Sequence, residues 1–148
     1  MVNFDVNEPI YSIGIAAKKL KISVPALRVY EREGLLIPHR TETGRRIYSH
    51  KDIERIGIIR KMIQNEGLNF EGIRRILSLI PCWRLKACPV DVREKCSAFF
   101  SSNEPCWKIK NNNSDICTEE CRTCIVFKKG YEKFNNLKSL LKELCSCI

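Results

Sequence analysis

All nine cysteines of this chain lie between Cys82 and Cys147, so the first eighty-one residues contain none. Cysteines that served only as small apolar core residues would be scattered through both halves. The distribution therefore predicts two regions that are stabilised in different ways, with a boundary at Pro81. The N-terminus has no secretory signal pattern, and no apolar run is long enough to span a membrane. We therefore expect a cytoplasmic protein whose thiols are kept reduced.

Residues 1–80 carry the signals of four helices and one β-hairpin, which predicts a mainly α fold. Residues that favour helix starts precede four amphipathic segments, and residues that end helices follow three of them. The starts are Ser12, Ser23, Ser49 and Asn69, and the ends are Gly34, Gly67 and Pro81. Residues 35–37 are extended in character, 41–44 form a turn, and 45–48 return as a strand. Two short helices followed by a hairpin predict a winged helix-turn-helix with the hairpin as its wing.

The sequence LRVYEREGLLIPHRTETGRRIYS at residues 27–49, with GIRRIL at 72–77, resembles the MerR family of bacterial regulators, and within it the HspR-like branch. The resemblance covers about half of the chain. It implies a sequence-specific DNA-binding transcriptional regulator, which is not an enzyme. Its partners would be double-stranded promoter DNA, a second copy of the chain and RNA polymerase.

The same resemblance implies which residues contact DNA. Two groups would do so, one on the recognition helix and one on the wing. They are Ser23, Arg28 and Tyr30 on the helix and Arg45, Arg46 and Tyr48 on the wing, with Arg40 assisting. The sequence departs from the family pattern at Pro25, Ala26 and Val29. Because these positions face or flank the groove, the operator sequence cannot be carried over.

A formal net charge of +9 agrees with a polyanionic partner, because basic side chains displace the counterions of nucleic acid phosphates. Both halves of the chain are basic. The charge therefore permits nucleic acid binding without locating it.

Residues 81–126 are predicted to form a small, irregular, cysteine-rich metal module. The segment Pro81–Lys86 (PCWRLK) recurs as Pro105–Lys110 (PCWKIK), so each repeat presents a cysteine beside a tryptophan. The candidate metal ligands are Cys82, Cys88, Cys96, Cys106, Cys117, Cys121 and Cys124. No histidine accompanies them, and thiolates select zinc or iron–sulfur centres.

An iron–sulfur cluster is the leading interpretation of these cysteines, because their spacing is not that of a standard zinc finger. A redox-sensing or metal-sensing role would follow from it. The alternatives are a purely structural zinc site and disulfides or free thiols. A thiol redox enzyme is a remote alternative, since no base or second catalytic group accompanies the cysteines.

Residues 127–148 are predicted to form an amphipathic helix. Apolar residues follow a heptad-like spacing at Phe127, Phe134, Leu137, Leu141 and Leu144. A helix of this length needs a partner face, and the family resemblance implies dimerisation through an antiparallel C-terminal helix. The alternative is that it folds back on its own chain. Cys145 and Cys147 are interpreted as spare thiols.

Overall fold

A computed structural model describes residues 3–110, 117, 119–132 and 136–145. These residues form ten α-helices, three short β-strands and one 3₁₀ turn. The mainly helical class with a small antiparallel sheet agrees with the sequence prediction. The chain divides into two compact units, Met1–Leu68 and Asn69–Ile148. The predicted domains 1–80, 81–126 and 127–148 follow sequence patterns and remain predictions.

Three helices build the first unit, and each begins at the serine that the sequence indicates. They are α1 (Ile13–Leu20), α2 (Val24–Arg32) and α3 (His50–Asn65). The Ser12 and Ser23 hydroxyls accept hydrogen bonds from backbone N–H groups three residues on, and Ser49 forms a reciprocal capping box with Asp52. Gly34 follows α2 with a φ of 75°, a conformation that glycine adopts without strain.

The sheet of the first unit has three antiparallel strands in the order β1-β3-β2. They are β1 (Pro9–Ser12), β2 (His39–Arg40) and β3 (Arg46–Ser49). The predicted extended segment at 35–37 is not a strand, since β2 begins only at His39. Leu35 and Leu36 are both buried in the core, whereas consecutive strand residues point to opposite faces. Strand β1 was not expected, because four residues carry too short a pattern.

The core of the first unit is built from the inner faces of the three helices and from β3. Helix α1 packs against α2 and α3, and β3 packs against α3. The buried apolar side chains are Ala16, Ala17, Leu20, Leu27, Tyr30, Leu35, Leu36, Tyr48, Ile56, Ile59 and Met62. Asp52 and Arg55 are also buried and form an ion pair of 3.0 Å, so each buried charge at the start of α3 has an opposite charge beside it.

The second unit consists of one medium helix, several single-turn helices and two C-terminal helices. They are α4 (Phe70–Ser78), α5 (Cys82–Leu85), α6 (Val90–Arg93), α7 (Ser97–Phe100), α8 (Cys106–Lys110), α9 (Ile125–Glu132) and α10 (Leu137–Cys145). A 3₁₀ turn at Cys121–Thr123 precedes α9. The buried apolar side chains include Ile73, Leu77, Ile80, Trp107, Val126 and Phe127.

Two details of this unit bear on the sequence predictions. Helix α4 is capped by Asn69 as expected, but it ends at Ser78, and the buried Ile80 follows it. The predicted C-terminal helix corresponds to α9 and α10, while Phe134 and Cys147 lie outside the described residues. In the described part of the chain, no helix is long and apolar enough to cross a membrane.

Candidate functional site

Helix α2 presents one face to the core and the opposite face to solvent. Leu27 and Tyr30 are buried, whereas Pro25, Arg28 and Arg32 are exposed. The three exposed positions follow the i, i+3, i+7 spacing of a single helix face. Ser23 lies at the N-terminus of the same helix, where its hydroxyl accepts a hydrogen bond of 3.2 Å from the Ala26 N–H. The outer face of α2 therefore offers the guanidinium of Arg28, with Arg32 one turn further on, and such groups suit phosphate.

The hairpin of β2 and β3 ends in a tight turn at Thr41–Gly44. The Gly44 N–H donates to the Thr41 carbonyl at 2.8 Å, and the Thr41 N–H donates to the Arg45 carbonyl at 2.9 Å. Gly44 has a φ of 80°, which favours glycine at this position. Arg45 follows directly and is exposed. The turn thus holds a second cation at the tip of the wing.

Two other predicted DNA-binding arginines form hydrogen bonds with a residue of the same unit. Arg40 Nη2 donates to Glu31 Oε1 at 2.8 Å, and Arg46 Nε donates to Glu31 Oε2. The hydrogen bond that Arg46 donates to Glu31 raises the pKa of Arg46. In contrast, Arg28 and Arg45 have no ion-pair partner within the part of the chain that the structure describes. These two cations remain available to an external anion.

The two predicted DNA-binding tyrosines belong to the core. Tyr48 is 0% exposed, and burial raises its pKa to about 12, with the negative charge of Glu31 contributing. Tyr30 is also buried, and burial raises its pKa. Both side chains thus pack in the core of the first unit, and the DNA contacts that the resemblance implies for them remain predictions.

All seven predicted metal ligands line one cavity of about 400 Å³ in the second unit. They are Cys82, Cys88, Cys96, Cys106, Cys117, Cys121 and Cys124. Cys145 is exposed and does not line the cavity. All seven therefore share one space, and the cysteine-rich module at residues 81–126 remains a prediction. Their role as ligands remains a prediction.

The two sequence repeats adopt the same local structure. In each, the cysteine is the first residue of a short helix, α5 for Cys82 and α8 for Cys106. The following tryptophan contacts a phenylalanine edge to face. Trp83 lies 5.3 Å from Phe99, and Trp107 lies 5.1 Å from Phe127, measured between ring centroids. Both aromatic pairs form part of the cavity wall.

Burial and the proximity of the thiols to one another limit how many thiols of the cavity can ionise. Burial raises the pKa of Cys82 to about 11, with smaller contributions from neighbouring thiols. Burial also raises the pKa of Cys106 far above its usual range, and the thiols of Cys82 and Cys124 add to the effect. Without added positive charge, these buried sulfurs favour the neutral thiol.

One lysine reaches the sulfurs of the cavity. Lys86 Nζ donates to Cys117 Sγ at 3.3 Å and to Glu119 Oε2 at 2.6 Å. The hydrogen bond to Glu119 raises the pKa of Lys86 and lowers that of Glu119. Within the described residues, no group of three or more His, Cys, Asp or Glu side chains is arranged to hold a metal ion. The seven sulfurs thus surround a shared space and do not converge on one point.

Sequence reasoning missed two acidic residues of these sites. Glu31 joins α2 to both strands of the hairpin, and Glu119 holds Lys86 beside Cys117. The position of Glu31, directly after a buried tyrosine in an otherwise basic segment, was an available signal. Glu119 carried no comparable signal, since it lies thirty-three residues from its partner.

Comparisons with known proteins concern the first half of the chain. Residues 11–80 match the family described as MerR HTH family regulatory protein. The chain is 41% identical over 71 residues to the putative heat shock protein HspR of Streptomyces coelicolor, covering 48% of this chain and 47% of that protein. It is 33% identical over 69 residues to the regulator GlnR of Bacillus anthracis, covering 47% and 53%. The chain thus spans about half the length of the curated relatives it matches.

Two further similarities extend this comparison. The chain is 36% identical over 70 residues to the regulator ZntR of Escherichia coli, covering 47% of this chain and 49% of that protein. A crystal structure of HiNmlR, a MerR family regulator lacking the sensor domain and bound to promoter DNA, aligns with a TM-score of 0.42 and 23% identity. That alignment covers 90% of this chain and 86% of the HiNmlR chain.

Proposed function

Residues 11–80 are a MerR-family helix-turn-helix domain, and on this premise we propose that the chain is a sequence-specific DNA-binding transcriptional regulator. The observation that carries the proposal is the pair of exposed, unpaired guanidinium groups of Arg28 on α2 and Arg45 on the wing. A helix that enters the major groove and a wing that grips the flanking backbone need one cation each. Arg40 and Arg46 hold the wing to α2 through Glu31, and Tyr30 and Tyr48 pack in the core.

The DNA-binding proposal is tested by selecting bound sequences from a library of randomised double-stranded DNA. Enriched duplexes are then titrated with the full chain by fluorescence anisotropy. Arg28→Ala is expected to weaken binding by about 1–3 kcal/mol and to relax the preference at one base position. Arg45→Ala is expected to weaken binding to all duplexes and to reduce the slope of log K against log salt by about 1.

The matched control is Lys61→Ala, which removes one exposed positive charge of the same unit from α3. We expect it to change affinity only through the overall charge, and therefore less than either arginine variant. If no duplex is enriched, or if all three variants bind alike, the proposed function is wrong.

We propose that the seven cysteines of the cavity hold an iron–sulfur cluster and that its redox or metal state controls DNA binding. A single zinc ion needs its four sulfurs about 2.3 Å from one point. In a [4Fe–4S] cluster, each of the four irons takes its own thiolate, so the four sulfurs surround a volume. A common cavity of about 400 Å³ lined by seven sulfurs supports the second arrangement. Such a cluster would supply the positive charge that lets buried thiols ionise.

The cluster proposal is tested on the full chain purified without oxygen. We expect iron and inorganic sulfide in equal amounts, a visible charge-transfer absorption, and operator affinity that changes when the cluster is oxidised. Cys106→Ser should abolish the absorption, whereas Cys145→Ser should keep it, because Cys106 lines the cavity and Cys145 does not. Colourless protein without iron would disprove the cluster.

Structural zinc is the second candidate for the same cavity. The internal repeat favours structural zinc, because two equivalent turns each place a cysteine at the start of a short helix. A zinc ion bound there would stabilise a unit that has few long helices. It predicts zinc in the purified protein, unfolding of the second unit on chelation, and operator affinity that is insensitive to oxidants. The family match ends at residue 80, before the first cysteine. The metals suggested by relatives' names, such as the mercuric resistance regulator of Bacillus cereus, therefore do not decide between the two candidates.

We also propose that the regulator is a homodimer that acts with RNA polymerase at promoters, and that residues 127–148 provide the dimer contact. Leu141 is 39% exposed on α10, where lysines and Glu143 flank it. Leu141→Glu should convert a dimer to a monomer in light scattering after size-exclusion chromatography, whereas Lys138→Glu should not. A wild-type monomer at all accessible concentrations would contradict the proposal.

A further inference from the structure

Glu31 lies between the two arginines that face each other across the hairpin. Arg40 of β2 and Arg46 of β3 are register partners. Each oxygen of the Glu31 carboxylate accepts a hydrogen bond from one of these arginines. Arg40 Nη2 donates to Oε1 at 2.8 Å, and Arg46 Nε donates to Oε2. A single side chain of α2 therefore holds both strands of the wing.

The contact between Glu31 and Arg46 is less exposed than a usual surface ion pair, whereas the Arg40 side chain is 48% exposed. The Glu31 side chain is only 17% exposed, and Arg46 is 28% exposed. Charge-assisted hydrogen bonds in partly buried sites are stronger than those in open solvent. Two like charges directly opposite on antiparallel strands repel each other, so removal of the carboxylate would also leave an unfavourable arginine pair.

The connection continues from Glu31 to the tip of the wing. Arg40 Nη1 donates to the Gly44 carbonyl at 3.2 Å, and Gly44 directly precedes Arg45. One guanidinium thus links the carboxylate of α2 to the turn that carries the exposed cation. This chain of contacts sets where Arg45 lies relative to Arg28.

We propose that Glu31 is a positioning residue for DNA binding, which fixes the wing tip relative to α2 so that Arg28 and Arg45 engage one DNA duplex together. The inference rests on the proposed DNA-binding function. Loss of the Glu31 charge is then expected to weaken DNA binding. Simple electrostatics predicts the opposite, because removal of a negative charge near a DNA-binding face strengthens binding to a polyanion.

The test compares Glu31→Gln with Glu42→Gln in the full chain, using the selected duplex described above. Glu42 is exposed in the wing turn and has no ion-pair partner among the residues that the structure describes. Both variants remove one negative charge. We expect Glu31→Gln to weaken binding about tenfold, on the scale of losing a DNA-contacting arginine, and Glu42→Gln to leave binding equal or tighter.

A double-mutant cycle separates positioning from general destabilisation. If Glu31 positions the wing, Arg45→Ala should weaken binding much less in the Glu31→Gln background than in wild type, because the wing tip is already displaced. The effect of Lys61→Ala should be the same in both backgrounds. Glu31→Asp keeps the charge but is too short to reach both arginines. It should also weaken binding, and it decides the question if Glu31→Gln does not fold.

The failures of the two proposals are distinguishable. Wild type that selects no duplex overturns the DNA-binding function itself. Wild type that binds, with Glu31→Gln binding as tightly as Glu42→Gln, overturns only the positioning role. Strictly additive effects of Glu31→Gln and Arg45→Ala also overturn it.

Discussion

The two compact units of this chain fill their interiors in different ways. In Met1–Leu68, helices of eight to sixteen residues close over aliphatic side chains such as Leu27, Leu35 and Ile56, all of them 0% exposed. In Asn69–Ile148, single-turn helices surround a cavity of about 400 Å³ lined by seven cysteines. The first interior is complete by itself, whereas the second offers ligands around an open volume.

The ends of the helices differ in the same direction. Helices α1, α2 and α3 each begin with a serine whose hydroxyl accepts a backbone hydrogen bond. Helices α5, α6 and α7 begin without a side-chain cap. A four-residue helix without a cap is not stable by itself. Local signals and apolar burial hold the first unit, whereas in the second unit the proposed metal or cluster would take their place.

The largest expected effect follows from removing the proposed metal or cluster. We expect treatment of the full chain with a chelator and an oxidant to abolish amide hydrogen-exchange protection in residues 81–110, because metal binding in small modules supplies much of the folding free energy. Protection in residues 13–65 should persist, since that unit contains no cysteine. Mass spectrometry of exchanged peptides measures both in one sample. Equal loss in the two units, or no loss in either, would refute the contrast.

A core truncation tests the opposite side of the comparison. Leu27→Ala should lower the free energy of unfolding of the first unit by about 2–5 kcal/mol, because it leaves a cavity among packed side chains. Both tryptophans lie in the second unit. The midpoint of urea unfolding measured by circular dichroism should therefore fall, while the midpoint measured by tryptophan fluorescence should not change. Ile15→Ala, at a position 50% exposed, is the matched control and should have little effect.

The smallest effect concerns Tyr48, whose hydroxyl has no hydrogen-bond partner among the described residues. Burial raises the pKa of this phenol from its ordinary value of 10.0 to about 12 in the folded protein. The neutral phenol therefore stabilises the fold fully below pH 10, and this contribution is lost as pH rises through 12. Tyr48→Phe should change thermal stability little at pH 7 and should flatten its decline above pH 10. Tyr11→Phe is the control. If the thermal stability of Tyr48→Phe declined above pH 10 as steeply as that of the wild type, the raised pKa of Tyr48 would be contradicted.

Much of the first unit could be predicted because its signals are local. Ser23 caps α2, Gly34 ends it, and Gly44 closes the wing turn where the sequence indicates. Strand β1 and the burial of Leu35 and Leu36 could not be predicted, since they depend on which distant surfaces cover these residues. The position of Tyr48 is a similar case, because strand periodicity does not say which face of a short hairpin meets the core.

By itself, the sequence determined the division of this protein into a cysteine-free and a cysteine-rich half, and the helix starts and turns of the first half. These properties follow from composition and from contacts within four residues. Only the tertiary structure decided that Glu31 holds Arg40 and Arg46, which leaves Arg28 and Arg45 exposed. It also brought seven cysteines, spread over more than forty residues, to one cavity. Both results depend on long-range packing, which brings together side chains that no local pattern relates.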